Sequence, residues 1–151
     1  MEFTEFPKIP RLKRNCVITE KIDGTNASIH ITDEGEFLIG SRTRYITPAD
    51  DNYGFAKWAM DHKDELMGLG PGRHFGEWWG SGCQRGYGLK SGEKRFSLFN
   101  VGRWKDGMLP ECVRLVPVLY EGLFSTDIVE KTLDVLRVSG SYAAPGFMKP
   151  E

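Results

Sequence analysis

The chain has 151 residues, with 20 Lys and Arg against 21 Asp and Glu and a formal net charge of −1. That length suits one domain with one core, and 40% hydrophobic with 27% charged residues excludes a disordered tail. A polybasic protein is excluded as well, so any nucleic-acid contact has to come from a local basic surface on a nearly neutral body.

The opening run Pro7-Lys8-Ile9-Pro10-Arg11-Leu12-Lys13-Arg14 is basic and proline-punctuated and reads as an extended arm. Residues 16–22 read as a strand, and Asp23-Gly24 is a turn signal. Residues 27–31 alternate, Asp33-Glu34-Gly35 turns the chain, and 36–41 follow as a third strand, which together predict an antiparallel meander. Phe55, Trp58, Ala59, His62, Leu66 and Leu69 recur at helical spacing, so one amphipathic helix is expected over 52–69, stopped by Gly70-Pro71-Gly72. Residues 74–79 read as a strand, 80–92 as a glycine-rich loop, and 95–101 as another strand. A strand over 113–120 carries Pro117, which suggests an edge or a bulge. Ser125-Thr126-Asp127 offers cap chemistry for a helix over 128–138, stopped by Gly140. Strands and helices do not alternate regularly, which predicts an α+β fold with mainly antiparallel sheets and flanking helices. No GxGxxG or GxxxxGK[ST] string is present, so a nucleotide would have to be held another way.

The longest apolar runs are far short of a membrane span, and the N-terminus lacks the basic leader and apolar core of a secretory signal; no membrane partner and a cytoplasmic location are expected. Cys16, Cys83 and Cys112 are odd in number and far apart, with no CxxC pair, which argues against a zinc site or a disulfide framework.

The sharpest chemical feature is Glu20-Lys21-Ile22-Asp23-Gly24-Thr25-Asn26. Strand alternation would put Lys21 and Asp23 on one face. A lysine on the inner face of a sheet is costly as an ammonium, which favours the neutral, nucleophilic amine. The plainer reading is a surface lysine beside a hairpin turn. Arg42 could fork onto phosphate or serve as an ordinary surface arginine, and Glu77 could be a strand carboxylate in a salt bridge.

The lysine string resembles motif I of the covalent nucleotidyltransferases, the ATP-dependent DNA ligases, RNA ligases and mRNA capping enzymes. Other strings follow in that family's order: Gly40-Ser41-Arg42-Thr43-Arg44 resembles motif Ia, Phe75-Gly76-Glu77-Trp78 motif III, and residues 95–101 motif IIIa, with Asn100 where many members have aspartate. Gly146-Phe147-Met148-Lys149-Pro150-Glu151 resembles the approach to motif IV. The resemblance spans the whole chain and is nearest to bacteriophage-type RNA ligases. It implies a nucleotidyltransferase (ATP-grasp-like ligase) domain over 1–151, with ATP and Mg²⁺ as cofactors, acting on nucleic acid with a nick or break, RNA before DNA, in the host cytoplasm if phage-encoded.

By the same resemblance Lys21 attacks ATP to form a lysine–AMP. Glu77 accepts hydrogen bonds from ribose hydroxyls, Phe99 stacks on adenine with Phe96 as its alternative, and Glu20 and Ile22 flank the nucleotide, Glu20 through its backbone. Asp23 orients a hydrated Mg²⁺ or caps the turn, and Glu151 stands where motif IV has its first glutamate. Arg11, Lys13, Arg14, Arg85, Lys90, Lys94, Arg95, Arg103 and Lys105 are candidates for phosphate contact. The rest of motif IV, and motif V with its paired lysines, are missing, so the domain is expected to be incomplete at its C-terminus and to self-associate through an unpaired sheet edge. Two other readings stay open: a non-catalytic nucleotide- or nucleic-acid-binding remnant, and a DNA ligase or capping-type transferase.

Overall fold

The computed structural model describes residues 14–105 and 107–151. Strand β2 (Thr25–Ile31) shows how the main sheet is built. Its two-residue period places Ala27, Ile29 and Ile31 on a buried face and Asn26, Ser28 and His30 on the other. On one side β3 (Phe37–Gly40) and then β4 (Tyr45–Ile46) pair antiparallel. On the other side come β5 (Gly72–Gly80) and β6 (Lys94–Leu98), also antiparallel, and β7 (Val113–Leu115), parallel to β6. The order is β4-β3-β2-β5-β6-β7.

Helices α1 (Phe55–Asp61) and α2 (Lys63–Leu66), with a 3-10 turn over Met67–Leu69, close the buried face. Phe55, Ala59 and Leu66 pack there with Ile29, Trp78 and Phe96. The rings of Phe55 and Trp58 stand 5.3 and 4.9 Å from that of Trp78. Asp51 caps α1, its carboxylate accepting from the N–H groups of Ala56 and Lys57. The single helix expected over 52–69 is interrupted at His62 (φ −109, ψ 17). That imidazole stacks on Trp58 and brings Nδ1 within 2.8 Å of the Trp58 carbonyl, an attachment to the preceding turn that competes with regular helix.

The expected meander begins one strand too early. β1 (Asn15–Thr19) does not pair with β2; it forms a separate two-stranded antiparallel sheet with β8 (Val118–Leu123). The strand expected over 113–120 is two strands in two sheets, divided where Pro117, lacking an N–H, ends the ladder. The strand expected over 95–101 stops at Leu98. Helix α3 (Thr126–Ser139) follows, capped by Ser125 Oγ on the Ile128 N–H at 3.2 Å. A smaller core of Ile22, Trp79, Tyr87, Val116 and Ala144 fills the join between the two sheets. No helix among the described residues is long and apolar enough to cross a membrane.

Candidate nucleotide site on the open sheet face

Residues 20–24 carry the chain from the small sheet into the large one, and this crossing, not a strand, holds the lysine. Lys21 is therefore not on the inner face of a sheet: its side chain is 73% exposed and ion-paired with Glu151. The strand ends at Thr19 because the next residue turns inward. Glu20 is 1% exposed, and its carboxylate accepts from Ser141 Oγ at 2.6 Å and from the N–H groups of Tyr142 and Ala143 at 2.8 and 3.0 Å. Its own N–H donates to the Pro117 carbonyl at 2.9 Å. That donor is thus engaged in the fold, and the side chain serves as an anchor.

Three further bonds fix the crossing. The Asp23 N–H donates to Tyr87 Oη at 2.7 Å, and the Gly24 N–H donates to Glu77 Oε1 at 3.0 Å. The Asp23 carboxylate accepts from Arg85 Nε at 2.9 Å, while Arg85 Nη1 donates to the Lys149 carbonyl at 2.9 Å. Gly24 has no room for a side chain: a Cβ there would lie 2.3 Å from the Trp78 carbonyl oxygen.

Glu77 lies on β5, on the sheet face turned away from the helices, paired in register with Asn26. It is 8% exposed, and the Asn26 amide donates to its Oε2 at 3.1 Å. Burial pushes its carboxyl pKa up, against the opposing pull of the Gly24 N–H and the Asn26 amide. An ionised carboxylate offers about four acceptor sites, so two remain for a ligand.

Lys21, Ile22, Asp23, Arg42 and Glu77 line one cleft of about 650 Å³, the size of a small-molecule site. Glu20 and Phe99 border it too. Arg42 is exposed on the loop between β3 and β4 and makes no ion pair among the described residues. Phe99 is 42% exposed just beyond β6, whereas Phe96, three residues back, is fully buried in the main core. Glu151 reaches the cleft only through Lys21. Among the described residues no group of three His, Cys, Asp or Glu could hold a metal ion.

The basic residues divide. Arg85 is tied to Asp23, Arg95 to Glu93, and Arg103 lies over the Trp104 ring at 4.9 Å. Arg14, Lys90 and Lys105 are exposed, and Lys94 is half-buried. Arg11 and Lys13 lie outside the described residues. Sequence reasoning passed over Tyr87 and Ser141. A lone tyrosine between Gly86 and Gly88 was the available signal for the first; for the second there was none.

Residues 14–145 match the family of RNA ligases. The chain belongs to that family. The match runs from the start of the described residues through the segment that anchors Glu20, so the cleft lies wholly within this RNA ligase domain. No curated protein matches the chain.

Proposed function

We propose that this domain is an ATP-dependent polynucleotide ligase of the covalent nucleotidyltransferase type, sealing RNA in preference to DNA, with Lys21 as the nucleophile. The observation that carries this reading is the convergence of Lys21, Arg42, Glu77 and Phe99, from four separate stretches of the chain, on one cleft. The reading rests on the family and on the fit of the cleft to a nucleotide.

Adenine lies against Phe99, and the ribose hydroxyls donate to the free acceptor sites of Glu77. The triphosphate then runs toward Lys21 and Arg42. Lys21 Nζ, as the neutral amine, attacks the α-phosphorus: a P–N bond forms, the P–O bond to pyrophosphate breaks, and the amine proton leaves to solvent. A 5′-phosphate oxygen of the RNA next attacks the same phosphorus, the P–N bond breaks, and the nitrogen takes a proton from solvent to leave as the free amine. The neighbouring 3′-hydroxyl then displaces AMP, forming the phosphodiester and losing its proton. Asp23, which lines the cleft, and Glu151, paired with Lys21, are the carboxylates that would hold a hydrated Mg²⁺, and the ion would supply charge neutralisation at the phosphates.

In a chain that also carries the paired lysines of motif V, incubation with ATP and Mg²⁺ is expected to add one AMP, mapped by peptide analysis to Lys21 and absent from Lys21→Ala. An adduct on another lysine overturns the assignment. ATP binding with no adduct under any condition replaces it with the nucleotide-binding remnant, and equal sealing of DNA nicks removes the RNA preference.

A further inference from the structure

The sheet face that carries Glu77 does not end at the cleft. Along β5, Phe75 and Arg73 follow Glu77 on the same face at steps of roughly 6.8 Å, the two-residue repeat of a strand. Strand register sets a row across the sheet at the level of Phe75: Tyr45 faces Gly40, Gly40 faces Ser28, and Ser28 faces Phe75. The backbones of Tyr45 and Phe75 thus stand about 14 Å apart, three strand spacings, with a glycine and a serine between them. The result is a trough with a low floor between two aromatic residues.

Both walls are open to solvent. Phe75 is 56% exposed and Tyr45 52%. Phe99, 42% exposed beside Phe75 in a neighbouring hollow, adds a third open ring. Tyr45 leans across β3: its hydroxyl lies 2.8 Å from His30 Nδ1, two strands away, and the two rings are near parallel at 15°. Phe99 borders both the nucleotide cleft and a second hollow of about 200 Å³ next to Phe75, so the two are neighbours across that ring. Positive charge follows the apolar surface. Arg73 and Arg103 border that second hollow, both exposed and neither in an ion pair among the described residues.

We propose that this trough binds the RNA strand that enters the active site, with a base stacked on Phe75 and the adjoining phosphate on Arg73. The proposal rests on the ligase reading for its direction, from Phe75 toward Glu77. The occupant follows from the chemistry: exposed aromatic rings take bases of any sequence, unpaired arginines beside them take phosphates, and a flat sheet face accepts splayed single-stranded bases. A protein partner would be expected to meet a more continuous apolar surface than a floor of Gly40 and Ser28.

The test uses a fluorescent, 5′-phosphorylated oligoadenylate of about ten nucleotides, within the span of known single-strand sites. Anisotropy titrations compare the wild-type chain with Phe75→Ala, Arg73→Ala and Lys131→Ala, the last on the exposed surface of α3. Phe75→Ala is expected to weaken RNA binding by roughly 5-fold to 150-fold, the range of one lost base stack, and Phe75→Trp to restore it. Arg73→Ala is expected to weaken it and to lower the salt-dependence slope by about 0.7, one phosphate contact on a single strand. Lys131→Ala is expected to leave both unchanged. ATP affinity, measured on the same samples, is expected to stay level for Phe75→Ala and to fall for Glu77→Ala. Wild-type RNA affinity in both Phe75→Ala and Arg73→Ala overturns the trough, as does the absence of RNA binding by the wild type. Equal loss of ATP and RNA binding in Phe75→Ala also overturns it, since Phe75 would then belong to the nucleotide cleft. RNA binding that depends on Phe75 and Arg73 in a chain that binds no ATP keeps the trough and removes the ligase reading.

Discussion

The carboxylate of Glu20 and the hydroxyl of Ser141 meet at 2.6 Å across 121 positions of sequence, in a fully buried contact one residue from the candidate nucleophile. Neighbouring side chains thus do opposite work. Glu20 points inward and holds the backbone; Lys21 points outward into the cleft.

Removing that anchor strands its partners. Glu20→Ala leaves the buried Ser141 hydroxyl, and the partly buried N–H groups of Tyr142 and Ala143, without their acceptor, and a buried unpaired group costs about 1–3 kcal/mol. A loss of about 2–3 kcal/mol is expected, about 4–12 °C in Tm for a domain of this size. Ser141→Ala, which also loses the bond from the Ala144 N–H, is expected to cost about 1–2 kcal/mol. Thermal melts of the two variants and their double mutant measure the coupling; a near-wild-type Tm for Glu20→Ala contradicts the anchoring role.

Glu77 sets opposing pH trends. Its carboxyl pKa is raised by burial, so between the ordinary carboxylate value and the native one the folded chain holds a proton that the unfolded chain has lost. Its contribution to stability falls as pH rises through that window, and the penalty is complete above the native pKa. Nucleotide binding, which needs the ionised acceptor, rises across the same window. Glu77→Gln is expected to flatten both curves, as melts and ATP titrations between roughly pH 4 and 7 would show. Parallel trends in the wild type, both rising or both falling, contradict this account.

Gly24 and Gly76 make room in different places. A Cβ on Gly76 would lie 2.4 Å from the Ser97 carbonyl oxygen and 2.7 Å from the Phe96 ring, inside the main sheet. At Gly24 the clash is with Trp78 and Trp79 beneath the lysine crossing. Gly76→Ala is expected to lower stability by about 1–3 kcal/mol through overpacking. Gly24→Ala is expected to do the same and to abolish the Lys21 adduct as well, because the crossing must shift away from Glu77. Retained adduct formation in Gly24→Ala would show that the crossing tolerates displacement.

Phe96 and Phe99 separate stability from binding. Phe96→Ala removes a fully buried ring and is expected to cost about 3–5 kcal/mol in folding. Phe99→Ala is expected to change stability little and to weaken nucleotide binding by about 1–3 kcal/mol, the worth of a base–aromatic stack. Unchanged ATP affinity in Phe99→Ala moves the stacking role elsewhere.

Much of this was legible in the sequence, for identifiable reasons. The period of two along residues 27–31, and the placement of Phe96 and Phe99 on opposite sides, needed only alternation. The Ser125 cap of α3 needed only local chemistry. What escaped depended on distant contacts. Nothing near residues 16–22 shows that their partner is β8, about a hundred positions later, so the first strand was attached to the wrong sheet. The same blind spot turned Lys21 inward: extending the strand through it assumed a ladder that Glu20 ends by reaching for Ser141. Pro117 was read correctly as a disturbance, but whether a proline bulges a strand or divides it between two sheets is decided by the neighbours on either side.

Two of the passages between the small sheet and the large one, at residues 20–24 and 116–117, are stitched together by the bond from the Glu20 N–H to the Pro117 carbonyl at 2.9 Å. The two crossings are also clamped from within: Ile22 from the first and Val116 from the second share the smaller core with Trp79 and Tyr87, and the Val116 N–H donates to the Leu98 carbonyl at 3.0 Å. Lys21 leaves the chain beside this clamp, so its backbone is a fixed post and only its own side chain supplies reach. Spin labels at the exposed positions Val138 and Tyr45 should give a narrow distance distribution with or without nucleotide, and a broad one would mean that the join gives way.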